Sequence, residues 1–214
     1  MNIELDAVET RVVGCLIEKE ATTPDNYPLS MNALINACNQ KTNRYPVVDF
    51  NEETVTDAVD SLRDKNIAYV FFGGSSRVAK YKHLFPKIFN LNFPEVAAMC
   101  VLMLRGPQTP GEIKSRTARL YSFADIEHVE ESLKVLQERD EPLVVNLGRQ
   151  PGQKESRYAH LLCGAVEVPE GVNFASASPK RNARNEEFAE QLAALKTEFE
   201  NLKAEFDEFK SQFD

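Results

Sequence analysis

Three histidines, four cysteines and several adjacent carboxylates are the residues of this 214-residue chain that could move protons, attack a substrate or hold a metal. His83 and His160 stand in matching contexts, Tyr81-Lys82-His83-Leu84 and Tyr158-Ala159-His160-Leu161. A histidine can relay protons or ligate a metal, but two in the same place of two similar stretches read more economically as a strand residue inherited by duplication. His128, among Glu127, Glu130 and Glu131, predicts a solvated helix face. Cys15, Cys38, Cys100 and Cys163 lie far apart with no C-x-x-C, which argues against a zinc ribbon or a disulfide framework. Cys15 and Cys100 fall in apolar runs and read as small core residues. Cys38, near the end of a predicted helix, is expected to be partly exposed, and it has no evident histidine to activate it. Glu52-Glu53 and Glu130-Glu131 are neighbours in sequence, so on a helix they diverge instead of converging on a substrate. There is no G-x-G-x-x-G, P-loop, G-x-S-x-G or H-E-x-x-H. The expectation is a protein that is not an enzyme and uses no cofactor and no metal.

Cations offer a second chemistry, the binding of phosphate or of an acidic partner. Arg77, Lys80 and Lys82 cluster, as do Arg149, Lys154 and Arg157, and Lys114, Arg116 and Arg119 crowd one short segment. The polar run Asn39-Gln40-Lys41-Thr42-Asn43-Arg44 can donate to phosphates or to a peptide. The candidate nucleic-acid or partner-binding residues are therefore Asn39, Gln40, Lys41, Asn43, Arg44, Arg77, Lys80, Lys114, Arg116, Arg119, Arg149 and Lys154. Taken singly, each reads first as an ordinary solvated side chain; together they make a phosphate track.

The elements that must position these residues come in two similar sets. Leu5-Asp6-Ala7-Val8-Glu9 and Leu91-Asn92-Phe93-Pro94-Glu95 each open a helix with a reciprocal capping box. A second helix follows each time, after Pro28-Leu29-Ser30 and after Thr109-Pro110-Gly111-Glu112. A third is capped by Asn51 over 52–65, and its stripe of Val55, Val59 and Leu62 returns as Val129, Leu133 and Leu136. Hairpins close both sets: 67–71 with 78–85 around Gly73-Gly74-Ser75-Ser76, and 143–147 with 157–162 around Pro151-Gly152. Three helices and a hairpin, twice, is the order of two tandem winged helix-turn-helix domains, a mainly α fold with small β-hairpin wings. The expected domains are 1–86 and 87–163. The first copy carries about a dozen extra residues, within 22–30 and 39–50.

A linker is expected over 164–183, followed by a helix over 184–214. There Phe188, Leu192, Leu195, Phe199, Leu202, Phe206, Phe209 and Phe213 alternate steps of four and three, a heptad seam. Flanking Glu198 and Glu205 meet Lys203 and Lys210 favourably in a parallel pair. A homodimer through parallel C-terminal helices is the expected partner arrangement; packing of this helix on its own chain is the alternative.

Composition bounds the rest. With 43% hydrophobic and 27% charged residues the chain can fold around a core. Its longest apolar run, nine residues over 96–104, is far short of the roughly 20 needed to span a bilayer. No basic leader opens it, so a reduced cytoplasmic protein with no membrane partner is expected. The formal charge of −8 weighs against avid non-specific nucleic-acid binding. That excess is uneven: residues 1–86 hold 9 basic and 12 acidic, 87–182 hold 12 of each, and 183–214 hold 4 and 9. Locally, the third helices carry Glu52, Glu53, Asp57 and Asp60, and Glu127, Glu130 and Glu131, which disfavours major-groove reading by those helices.

The stretches 14–20, 22–34 and 36–44, with Arg105-Gly106-Pro107-Gln108-Thr109-Pro110-Gly111-Glu112 in the second half, strongly resemble the YceH-like family of uncharacterised bacterial proteins. The resemblance covers residues 1 to about 165 plus a helical tail, and it implies a tandem winged-helix fold without implying an activity. It falls largely on the two insertions, which marks 22–30 and 39–46 as the preferred functional surface. Two functions remain open: a DNA-associated, transcription-regulator-like protein, and a protein–protein adaptor that uses winged-helix surfaces without binding DNA.

Overall fold

The computed structural model describes residues 3–72, 78–149 and 155–166. All of these belong to one compact unit, Met1–Val172. The expected tail helix and most of the expected linker, with Arg77, Lys154 and the seam from Phe188 to Phe213, lie outside the described residues.

Among the described residues helices predominate, with two small antiparallel sheets. The order is α1 (Ala7–Thr22), a 3-10 turn (Pro24–Asn26), β1 (Leu29–Ser30), α2 (Met31–Cys38), α3 (Glu52–Asp64), β2 (Ala68–Phe71) and β3 (Lys80–His83). It continues with α4 (Phe85–Ile88), α5 (Phe93–Arg105), α6 (Pro110–Thr117), α7 (Ile126–Gln137), β4 (Val144–Asn146) and β5 (Tyr158–His160). Three helices and a hairpin thus occur twice, with α4 between the sets.

The helix starts follow from capping chemistry. Asp6 accepts from Glu9 N while Glu9 reaches back to Asp6 N, both at 2.7 Å. Asn92 and Glu95 reproduce this at α5, and Thr109 and Glu112 at α6. Asn51 caps α3 by accepting from Thr54 N. Two details differ from the sequence expectation. The return strand of the first hairpin ends at His83, and Phe85 instead opens the short α4 with Pro86 in its first turn, where a missing N–H is harmless. The turn at Pro28-Leu29-Ser30 contains a strand: β1 joins the first hairpin, giving the sheet order β1-β3-β2. Two residues are too few to show alternation. In the second set its counterpart is a single bridge, with Gln108 and Tyr158 exchanging backbone hydrogen bonds at 2.9 and 2.8 Å.

The two sets share one core. α1 packs along α5, and Val12, Val13, Leu16, Met99, Leu102, Leu133 and Leu136 are buried within a single cluster. Burying each such side chain contributes roughly 1.5–3 kcal/mol. Gly14 sits where α1 meets α5, and an added Cβ there would lie 2.9 Å from Leu104 Cδ2. Backbone bonds knit the halves further, from Leu5 N to Leu162 O at 2.7 Å and from Tyr45 N to Leu104 O at 2.8 Å. No helix among the described residues is long and apolar enough to cross a membrane.

Candidate functional site

The insertion over 39–50 is shaped by three side chains that bond back onto the chain's own backbone. Asn39 brackets Phe50, donating from Nδ2 to its carbonyl and accepting its N–H, both at 2.8 Å. Arg11, buried on α1, donates to Cys38 O at 3.1 Å and Pro46 O at 2.6 Å. Arg44 is 6% exposed; its guanidinium donates to Ala37 O, Asn43 O, Gln40 Oε1 and both oxygens of Glu18. Burial pushes the Glu18 carboxyl upward, but the Arg44 guanidinium outweighs it and holds Glu18 below its ordinary range. Asn39 and Arg44, expected as ligand-binding residues, clip the loop in place through hydrogen bonds made within the chain.

What the clips present is a cleft between the halves. It has a volume of about 340 Å³ and is lined by Glu18, Lys19, Thr22 and Thr23 from the end of α1, and by Gln40, Thr42 and Asn43 from the clipped loop. Cys100, Val101, Leu104 and Arg105 of α5 and Arg116, Arg119 and Leu120 at and after α6 complete it. Both insertions that break the repeat thus arrive at one place. Four expected residues, Gln40, Asn43, Arg116 and Arg119, converge here. Arg105 was missed as a site residue: its hydrogen bond to Asn43 Oδ1 crosses between the halves, which no local spacing announces. Lys41 is exposed outside the cleft. Lys114 is turned away, donating to Ala124 O at 3.0 Å. Arg149 is exposed and borders a second hollow together with Glu130 and Glu155.

The first hairpin makes a different surface. Register pairs Tyr69 with Lys82 and Phe71 with Lys80, and directly opposed residues of antiparallel strands share a face. Ala68, Val70, Tyr81 and His83 turn to the other, inner face. Tyr69 and Phe71 are 37% and 41% exposed, and Phe72 beyond them is 63% exposed. Lys82 Nζ lies 5.7 Å from the centroids of both Phe71 and Tyr27, within cation–π range. The alternation of Tyr69 and Phe71 is visible in the sequence, but only the register places both lysines beside them.

The groups considered for catalysis are dispersed. His83 Nε2 lies 2.8 Å from the Glu20 carboxylate, and this contact holds Glu20 below its ordinary range. His160 Nδ1 is buried without a hydrogen-bond partner, and burial pulls its pKa down to about 4. His128 is not on a solvated face: it is half-buried, edge-on to Tyr121 and Phe123 at 5.8 and 5.1 Å. Cys38, expected to be partly exposed, is fully buried, because its helix end lies under the clipped loop; Cys163 is the exposed cysteine. Among the described residues no three His, Cys, Asp or Glu side chains gather as metal ligands would.

Residues 5–153 match the family model described as "Protein of unknown function, DUF480". The chain is 50% identical over 202 residues to the UPF0502 protein of Solibacter usitatus, covering 94% of each. It is 54% identical over 167 residues to the UPF0502 protein of Pelobacter propionicus, covering 78% of this chain and 76% of that one. The match to the UPF0502 protein of Opitutus terrae is 52% over 165 residues, covering 77% and 72%.

Proposed function

The chain belongs to the DUF480 family of proteins of unknown function, and from that premise we propose that it is a non-enzymatic, tandem winged-helix protein that associates with DNA in the manner of a transcription regulator. Contact is made by the face of the first wing and not by the third helices. The observation that carries this is the register that sets Tyr69 and Phe71 beside Lys82 and Lys80 on one exposed face. Lysines there neutralise phosphates, while aromatic rings stack on unpaired bases. Exposed Glu52, Glu53, Asp57 and Asp60 on α3, and Glu127, Glu130 and Glu131 on α7, would repel the backbone in a conventional major-groove docking. Self-association through the heptad tail would place two such wings on one nucleic acid and raise their joint affinity.

Fluorescence anisotropy with labelled single-stranded and duplex DNA at several salt concentrations tests this reading. Binding that weakens with salt, favours the single strand, and drops by about 30-fold or more in Y69A/F71A is expected, since stacking is worth about 1–3 kcal/mol per base and two rings are removed. Absence of binding at low salt, or binding without a salt slope, would sink it. The adaptor reading is favoured by the same carboxylates on α3 and α7, which would dock a basic protein surface; in that case the tyrosine–phenylalanine variant would bind its partner unchanged.

A further inference from the structure

The cleft between the halves gathers positive charge that its own carboxylates do not neutralise. Lys19, Arg105, Arg116 and Arg119 line it, and Glu18 is the one acidic residue among the lining side chains. Both Glu18 oxygens are held by Arg44, at 3.0 and 2.6 Å, and Lys19 Nζ lies 3.5 Å from one of them. Among the described residues Arg105 donates to the neutral oxygen of Asn43 and makes no ion pair. Arg116 comes no closer than 3.6 Å to Glu112, a carboxylate that Arg157 engages at 2.7 Å. Arg119 makes no ion pair among the described residues. Burial, and after it the Arg116 charge, press the Arg105 pKa downward, and the Glu18 carboxylate offsets them only in part.

The neutral lining fits the same picture. Gln40 gives its carbonyl oxygen to Arg44, which leaves its amide N–H groups as donors for the cleft. Leu104 and Leu120 supply an apolar wall. A volume of about 340 Å³ lies at the small end of organic-ligand sites and suits one or two phosphate groups on a compact body, not a polymer laid along a groove. Guanidinium groups recognise phosphate oxygens through paired hydrogen bonds, and three of them converging supply both charge and geometry.

We infer that this cleft binds a small, free, phosphate-bearing anion, held by Arg105, Arg116 and Arg119 with its less polar part against Leu104 and Leu120. Because α1 and the clipped loop form one wall and α5 and α6 the other, such a ligand bridges the two halves. The inference does not depend on the wing reading, which uses other residues.

Isothermal titration calorimetry of the full chain with inorganic pyrophosphate, at low salt and without divalent cations, tests it. Saturable one-to-one binding is expected. R116A/R119A should weaken it by about tenfold or more, R116K/R119K should retain much of it, and R63A, on exposed α3, should leave it unchanged. Circular dichroism on each variant keeps loss of binding separate from loss of fold. No saturable binding at millimolar pyrophosphate, or equal affinity in folded R116A/R119A, overturns the proposal. Repeating the titration with excess short duplex DNA tests the source of the phosphate: retained binding supports a free ligand, and displacement overturns that assignment.

Discussion

Arg44 shows how one side chain can look like a ligand-binding cation and act as a scaffold. Its side chain is fully buried and Glu18 is 14% exposed, so the pair is held away from water with both carboxylate oxygens engaged. Removing one partner strands the other charge, and R44M should cost about 3–5 kcal/mol in urea unfolding, with E18L in the same chain recovering much of the loss. His160 makes a second prediction at this scale. Its pKa is pulled to about 4 by burial, against about 6.5 for a free histidine. The unfolded chain therefore binds the proton first as pH falls, so this contribution is complete above pH 6.5 and is lost progressively toward pH 4. Unfolding free energy should drop by about 2 kcal/mol between pH 6.5 and 5, above the carboxylate range, and H160F should remove that share of the slope. The duplicated Tyr-x-His-Leu pattern located both histidines on return strands, but it could not show that one meets Glu20 while the other is left without a partner at Nδ1. Those differences come from residues far away in sequence.

Among the elements, the pairing of α1 with α5 decides most of the architecture. The 86-residue offset that relates Asp6 to Asn92 and Glu9 to Glu95 also relates Gly14 to Cys100, and Cys100 Sγ lies 3.5 Å from Gly14 O. Equivalent helices of the two sets therefore meet near equivalent points. G14V should destabilise the protein by about 2–3 kcal/mol in denaturant titration, because the added methyls press on Leu104 and the backbone of α5 cannot retreat from the shared core. The helix starts were legible beforehand, since capping residues and apolar stripes are local signals. β1, the short α4 and the Gln108–Tyr158 bridge were not. Each is too brief for a period to appear, and each exists because a neighbouring strand or a proline completes it. The insertion over 39–50 was recognised as extra chain, while its role as a clipped wall of the cleft depends on Arg11 and Glu18 of a different helix.

For the whole molecule, charge is partitioned by surface. Carboxylates are displayed on α3 and α7, cations line the cleft between the halves, and lysines flank aromatic rings on the first wing. A phosphate-bearing ligand and a basic partner would thus meet different faces. The proposed self-association rests on the heptad pattern over 188–213, which lies outside the described residues. Light scattering should give a dimer mass for the full chain and a monomer mass for residues 1–182 at micromolar concentration; equal monomer masses would end the parallel-helix dimer reading. An exposed Glu–Lys pair adds only about 0–1 kcal/mol, so charge reversal at Glu198 and Glu205 should shift strand orientation or affinity modestly while truncation abolishes dimerisation.

The sequence by itself determined the order of the longer elements, the repetition of three helices and a hairpin, the caps that start the helices and the acidic character of the third helices. These are short-range properties, written in residue type and spacing over a few turns. Only the tertiary structure decided that Asn39 and Arg44 face inward, that Arg105 joins Arg116 and Arg119, and that Tyr69 and Phe71 share a face with two lysines. Each of those depends on which distant segment supplies a hydrogen-bond acceptor, a counter-charge or a strand register, and the packing of α1 on α5 is what brings those segments together.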